Sequence, residues 1–196
     1  MLTDAIRKGF SAGSDRLSSV SGVNLLAAPN ASAEGGATNV TGCVLETDSA
    51  TFRASKTLQE EVFGPLCVVV KCSSAQDLHD TVLTLEGQLT ASVFHAGGPD
   101  LQDAAWHDVL GSLQEKVGRL IYNAYPTGVE VNYSMNHGGP YPATTAVGTT
   151  SVGADAIRRF ARPICFQDCP QELLPIALQD ANTSVCRLVN GQMVTA

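Results

Sequence analysis

The sequence predicts an α/β fold built on parallel strands, and three observations carry that prediction. The run "LCVVVKC", residues 66–72, is continuous, apolar and β-branched, as a strand buried on both faces of a parallel sheet requires. A helical stripe follows it, with Leu78, Val82 and Leu85 at helical spacing. Two further strand-like runs, "TASVFHA" and "RLIYNA", are separated by a second helical stripe. Residues 66–124 therefore read β-α-β-α-β, with right-handed crossovers joining the strands of one parallel sheet and helices on both of its faces.

The elements follow in order. "TDAIRKGFSAG" predicts a short opening helix, with Thr3 as N-cap and Gly13 as its stop. "AAPNASAEGGATNVTG" has no periodicity and reads as a loop leading into a strand at "CVLET". Ser74 and Asp77 have the spacing of a capping box for the first crossover helix, which Gly87 ends. In "GGPD", Pro99 suits a first helical position, with Asp100 and Asp103 near the positive helix end. The helix continues through Leu101, Ala105, Val109, Leu113 and Val117, with Lys116 near its negative end and Gly118 closing it.

About thirty residues of Gly, Pro, Thr and Asn come next, and loops of that length in a compact domain are functional or disordered. "ADAIRRFARP" then reads as a short helix stopped by Pro163, and "ICFQDC" as an edge or exchanged strand. The expected organisation is a main domain over residues 1–162 and a strand-and-tail segment over residues 163–196.

Composition narrows the function. Nineteen acidic against twelve basic residues give a net charge of -7, with no basic cluster larger than "RRFAR", which argues against nucleic acid and anionic membrane as partners. No apolar stretch reaches the ~20 residues that span a bilayer, and "MLTDAIRKGF" is not a signal peptide, so a cytoplasmic location is the expectation. The six cysteines are thinly spread, and Cys67 and Cys72 lie in an apolar run, so buried reduced thiols are expected rather than disulfides.

Few local patterns carry chemistry. "GFSAG" matches the G-x-S-x-G elbow of serine hydrolases, but helix-like sequence precedes Ser11 where the elbow needs a strand. Cys165 and Cys169 lack a second ligand pair for zinc, so no metal is expected. His95 reads as a hydrogen-bonded core residue, and His79 and His107 as residues on solvated helix faces. His137 differs, because the glycines of "NHGGP" let a ligand or another backbone approach closely, although a structural turn accounts for it equally. Neither G-x-G-x-x-G nor G-x-x-x-x-G-K-[ST] is present, so no complete nucleotide site is encoded.

"EEVFGP" before an apolar strand resembles the motif shared by NAD(P)-dependent aldehyde dehydrogenases. "LEGQLTASV", "VGRLIYNAYPTGVEV", "MNHGGPYPATT", "TTSVGADAIRRFARPICFQ" and "LLPIAL" resemble the C-terminal part of one branch, the α-ketoglutaric semialdehyde (2,5-dioxopentanoate) dehydrogenases. A Phe-Gly-Gly segment stands in most members where this chain has "NHGGPYP", and that departure points to the branch.

The resemblance implies a cytoplasmic oxidoreductase that uses NAD or NADP to convert a small aldehyde, 2,5-dioxopentanoate, into a carboxylate. In the complete enzyme a cysteine thiolate attacks the aldehyde, hydride passes to the cofactor and the thioester is hydrolysed. Glu61 matches the ribose-binding glutamate, whose carboxylate accepts two hydroxyl hydrogen bonds, and Phe63 the residue beside the nicotinamide. Asn136, His137, Gly138 and Gly139 are the expected substrate-loop residues.

None of the six cysteines sits in the family's Gly-Gln-x-Cys context. The nucleophile, the general-base glutamate and the dinucleotide domain therefore belong to an N-terminal half absent from this sequence. The expectation is an inactive C-terminal fragment of a homo-oligomeric parent, which needs that half for activity. The alternative is a non-catalytic module that pairs with dehydrogenase subunits through "RPICFQ".

Overall fold

The computed structural model describes residues 1–28, 38–97 and 104–195. It divides into two units, Met1–Arg159 and Phe160–Ala196, taken here one at a time.

The first unit opens with α1, Asp4–Ser18, where the Thr3 side chain accepts a hydrogen bond from the Ile6 amide as the sequence predicts. The helix does not stop at Gly13. It runs a turn further and buries Leu17 in a core with Leu45, Phe52 and Leu58. That burial outweighs the cost of about 1 kcal/mol for an interior helical glycine.

Strand β1, Asn24–Ala27, runs antiparallel to β2, Cys43–Asp48, which pairs in parallel with β3, Leu66–Lys71. Between β2 and β3 lie α2, Ser49–Ala54, and a 3-10 helix, Lys56–Gln59. Asp48 ends β2 and caps α2 at the Thr51 amide, 2.7 Å away.

Helix α3, Ala75–Thr84, leads to β4, Gln88–Val93. Helix α4, Ala104–Lys116, leads to β5, Val117–Tyr122, which pairs in parallel with β4. The expected N-terminal signals of α4 at Pro99, Asp100 and Asp103 lie outside the described residues.

The α/β class with parallel strands and helical crossovers is as expected, with four physical corrections. Strands β3 and β4 are not hydrogen-bonded neighbours: β1-β2-β3 form one sheet and β4-β5 another. Strand β3 is covered on one side only, with Leu66, Val68 and Val70 packed on the core while Cys67, Val69 and Lys71 are exposed. The buried-thiol expectation also fails: Cys67 lies on that uncovered side and Cys165 and Cys186 are exposed elsewhere, although all six thiols are free. Finally, Gly118 does not close a helix. Helix α4 passes directly into β5, and Gly118 is its second residue.

Two side-chain links hold α3 against α4. His79 Nε2 shares a 2.8 Å hydrogen bond with Ser112 Oγ, so this histidine joins two helices instead of facing solvent. Lys116 Nζ donates to the carbonyls of Leu83 and Leu85 at the end of α3. "ADAIRRF" forms the predicted short helix, as a 3-10 helix over Ala154–Phe160.

In the second unit residues 161–169 carry no regular element, so "ICFQDC" is not a strand within the chain. Two 3-10 turns follow, Gln171–Leu173 and Ile176–Leu178. A hairpin pairs β6, Arg187–Val189, with β7, Gln192–Val194, through Asn190 and Gly191, both at positive φ. Among the described residues no helix is long and apolar enough to cross a membrane.

Candidate functional site

The turn at residues 60–65 is held from both ends. Upstream, Leu58 is buried in the core, and the Gln59 side chain donates to the Phe52 carbonyl. Downstream, the Leu66 amide donates to Gly64 O, and the Cys43 amide donates to Pro65 O at 3.0 Å, extending the β2–β3 pairing to the mouth of β3. Pro65 lacks a donor and needs no partner there.

Glu61 and Phe63 emerge from this braced turn free of the protein. The Glu61 side chain is exposed and makes no hydrogen bond or ion pair among the described residues, and Phe63 is 70% exposed. Glu61 borders a cavity of about 950 Å³ together with Arg53, Lys56, Glu60, Glu86 and Gln88; Phe63 is not in its wall. The wall carries both charge signs, and the cavity separates the entry to β3 from the entry to β4. Pattern reading missed Arg53, which becomes visible only through Asp77, twenty-four residues on.

Arg53 is fixed by the start of α3. Its Nη1 donates to Asp77 Oδ1 at 2.6 Å, to Thr81 Oγ1 at 2.9 Å and to the Asp77 carbonyl. The Asp77 carboxylate also accepts from the Ser73 amide and from Ser49 Oγ. The Arg53 hydrogen bond first, then those from Ser73 and Ser49, hold the Asp77 carboxyl far below the usual carboxylate range. Asp77 raises the Arg53 guanidinium in turn.

Residues 136–139 sit at the N-terminal ends of β4 and β5, and none of them lines the Glu61 cavity. Asn136 Nδ2 donates to Gly118 O at 2.8 Å, the His137 amide donates to Thr150 Oγ1, and the His137 carbonyl accepts from Ser151. Gly138 and Gly139 are buried against backbone. A Cβ on Gly118 would overlap the Gly138 carbonyl, and one on Gly139 would stand 2.5 Å from the Gln88 carbonyl. These glycines therefore permit main chain to lie on main chain. His137 Nδ1 is buried without a hydrogen-bond partner among the described residues. Pro142 and Ala143, further along the same loop, do line the Glu61 cavity.

At the opposite ends of β4 and β5, the Phe94 and Tyr125 rings lie 5.1 Å apart, and His95 meets Tyr122 edge to face. His95 is partly buried and hydrogen-bonded, its Nδ1 accepting from the Gly97 amide. Arg119 on β5 reaches out to the loop, donating Nη1 to Gly128 O at 2.8 Å and Nη2 to Pro126 O at 3.1 Å.

The chain matches no family model. It is 39% identical over 194 residues to "Alpha-ketoglutaric semialdehyde dehydrogenase 2" of Azospirillum brasilense, covering 98% of this chain and 36% of that protein. It is 44% identical over 144 residues to "Alpha-ketoglutaric semialdehyde dehydrogenase" of Acinetobacter baylyi, covering 73% of this chain and 27% of that protein. The chain thus spans about a third of the length of the curated relatives it matches.

Solved structures share the fold. A betaine aldehyde dehydrogenase double mutant from Staphylococcus aureus, in complex with NAD+, superposes with a TM-score of 0.59 at 14% identity, over 82% of this chain and 30% of that one. The glyceraldehyde-3-phosphate dehydrogenase GapN of Methanocaldococcus jannaschii, complexed with NADP, gives 0.52 at 15% identity, over 71% and 26%.

Proposed function

Because this chain belongs to the aldehyde dehydrogenase superfamily and corresponds to its C-terminal part, we propose that it supplies one wall of the cofactor site in an α-ketoglutaric semialdehyde dehydrogenase. The full-length protein would be cytoplasmic and homo-oligomeric, and would oxidise 2,5-dioxopentanoate to 2-oxoglutarate with NAD or NADP.

The observation that carries this reading is the unpartnered pair Glu61 and Phe63 on a turn braced at both ends. The pair fits a nicotinamide nucleoside. A carboxylate without a protein donor is available to accept from both ribose hydroxyls, and an exposed aromatic ring can lie against a planar one. A bound nicotinamide would supply the hydride acceptor, and Glu61 and Phe63 would bind and orient it. The loop residues Asn136, His137, Gly138 and Gly139 belong to the proposal as the support of the substrate side. They secure the segment whose Pro142 and Ala143 border the same cavity as Glu61.

The reacting thiol and general base would come from sequence beyond these 196 residues, and the structure offers room for it. Strands β3 and β4 share no ladder, and the outward side of β3 is exposed. Each of the two strands keeps an edge able to receive another strand.

The test combines the purified chain with the N-terminal part of the Azospirillum brasilense relative, ending where the match begins. Reduced cofactor is then followed at saturating 2,5-dioxopentanoate. The chain alone should give no turnover and the mixture should. Turnover by the chain alone, or by neither preparation, would sink the reading.

A second reading, a non-catalytic module that pairs with dehydrogenase subunits, draws on the second unit. Phe160, Ile164, Leu173 and Ile176 are each more than 60% exposed there, and residues 161–169 are free of internal ladders. Co-elution of the chain with an intact relative, without any effect on turnover, would favour it.

A further inference from the structure

"GFSAG" finds no use as a hydrolase elbow, since Ser11 lies inside α1, yet its residues meet the cofactor turn at regular intervals. Phe10 packs where Gly64 has no side chain: a Cβ on Gly64 would overlap the Phe10 ring. Gly13 faces Val62 in the same way, and a Cβ there would stand 2.8 Å from Val62 Cγ1. Arg16 Nη2 donates to Glu60 Oε2 at 2.8 Å.

The partners run 10 with 64, 13 with 62 and 16 with 60, so one stripe of α1 lies antiparallel to residues 60–64. The helix advances three residues for every two of the turn.

We propose that α1 is the template that sets the register of the cofactor turn. Phe10, Gly13 and Arg16 engage Gly64, Val62 and Glu60 respectively, and the intervening Glu61 and Phe63 are left exposed. The three α1 residues are positioning residues. A slip of one residue would bury Glu61 against the helix and present Val62 to the cofactor. The two glycines are reciprocal, one on each element, each leaving room for an apolar side chain of the other. Arg16 and Glu60 are each half exposed, so the two apolar contacts hold the register and the ion pair marks its end. The inference rests on the reading of Glu61 and Phe63 as cofactor contacts.

The test uses the full chain with Gly13→Ala, Val62→Ala and both together. Alanine is the better helix former, so a Gly13 that served only α1 would make Gly13→Ala stabilising. The template predicts the reverse locally. Amide hydrogen exchange over residues 60–66 rises at least about tenfold in Gly13→Ala, stays unchanged in α3 and β4, and returns toward the parent value when Val62→Ala makes room.

In the mixture with the relative's N-terminal part, Gly13→Ala should raise KM for the cofactor several-fold and leave KM for the aldehyde unchanged. Unchanged exchange at residues 60–66, or no recovery in the double variant, overturns the template. Equal shifts in both KM values overturn its link to the cofactor. A parent mixture without turnover removes the functional reading, while hydrogen exchange still decides whether α1 sets the turn.

Discussion

The Arg53 guanidinium and the Asp77 carboxylate meet at 2.6 Å, tying the last turn of α2 to the first turn of α3. Helix α2 leads through a single residue, Ser55, into the 3-10 helix that delivers Glu60 and Glu61, so this contact anchors the approach to the turn at residues 60–65. Asp77 titrates below its unfolded value because Arg53, Ser73 and Ser49 donate to its charged form. Its stabilising contribution is therefore complete above the unfolded carboxylate pKa of about 3.9 and is lost as pH falls from there toward the folded value. Urea unfolding midpoints should drop on acidification from about pH 5 to about pH 3. Asp77→Asn should start lower at neutral pH and show a shallower drop; an identical slope in the two proteins would refute the assignment.

The first unit depends on a small core, and Leu45 is its most enclosed member at 0% exposure. Leu45→Ala should cost about 2–5 kcal/mol, read from urea unfolding followed by circular dichroism. A cost below about 1 kcal/mol would mean that β2 is not packed against α1 and α2 as described.

Glycines at two positions should respond with opposite signs. A Cβ on Gly111, inside α4, meets nothing within 4 Å, so Gly111→Ala should stabilise by about 0.5–1 kcal/mol. At Gly118 the methyl would enter the Gly138 carbonyl, and Gly118→Ala should destabilise by about 1–3 kcal/mol. Thermal melts of the two variants side by side decide the matter.

Glu61 and Phe63 are exposed and unpartnered, so Glu61→Gln and Phe63→Ala should leave stability within about 0.5 kcal/mol of the parent. In the mixture with the relative's N-terminal part, Glu61→Gln should raise KM for the cofactor about tenfold or more, the loss of charged hydrogen bonds. A cofactor KM unchanged in Glu61→Gln would remove the ribose role from that residue.

Much of the first unit was legible because its signals are local. Thr3 and Ser74 cap the predicted helices, and the runs beginning at 43, 66, 90 and 119 fall largely within strands. The misreadings come from non-local partners. Gly13 and Gly118 looked like helix stops because only the fold brings Val62 beside one and the Gly138 carbonyl beside the other. The apolar continuity of "LCVVVKC" predicted cover on both faces, and the described chain covers one. The exposed four-residue β1 is specified by pairing with β2, which its own sequence does not announce. The hairpin at Asn190 and Gly191 had a local signal that went unread. At the site, the motif pointed to Glu61 and Phe63, but Arg53 and the α1 contacts emerge only when residues far apart in sequence are placed together.

Arg119 gathers the carbonyls of Pro126 and Gly128 with one side chain anchored on β5. No strand ladder holds that stretch of loop, so releasing a single guanidinium frees both attachments at once. The stretch 125–128 therefore hangs on side chains alone, Arg119 at its carbonyls and Phe94 at the Tyr125 ring, and is expected to open locally at lower cost than separating β4 from β5.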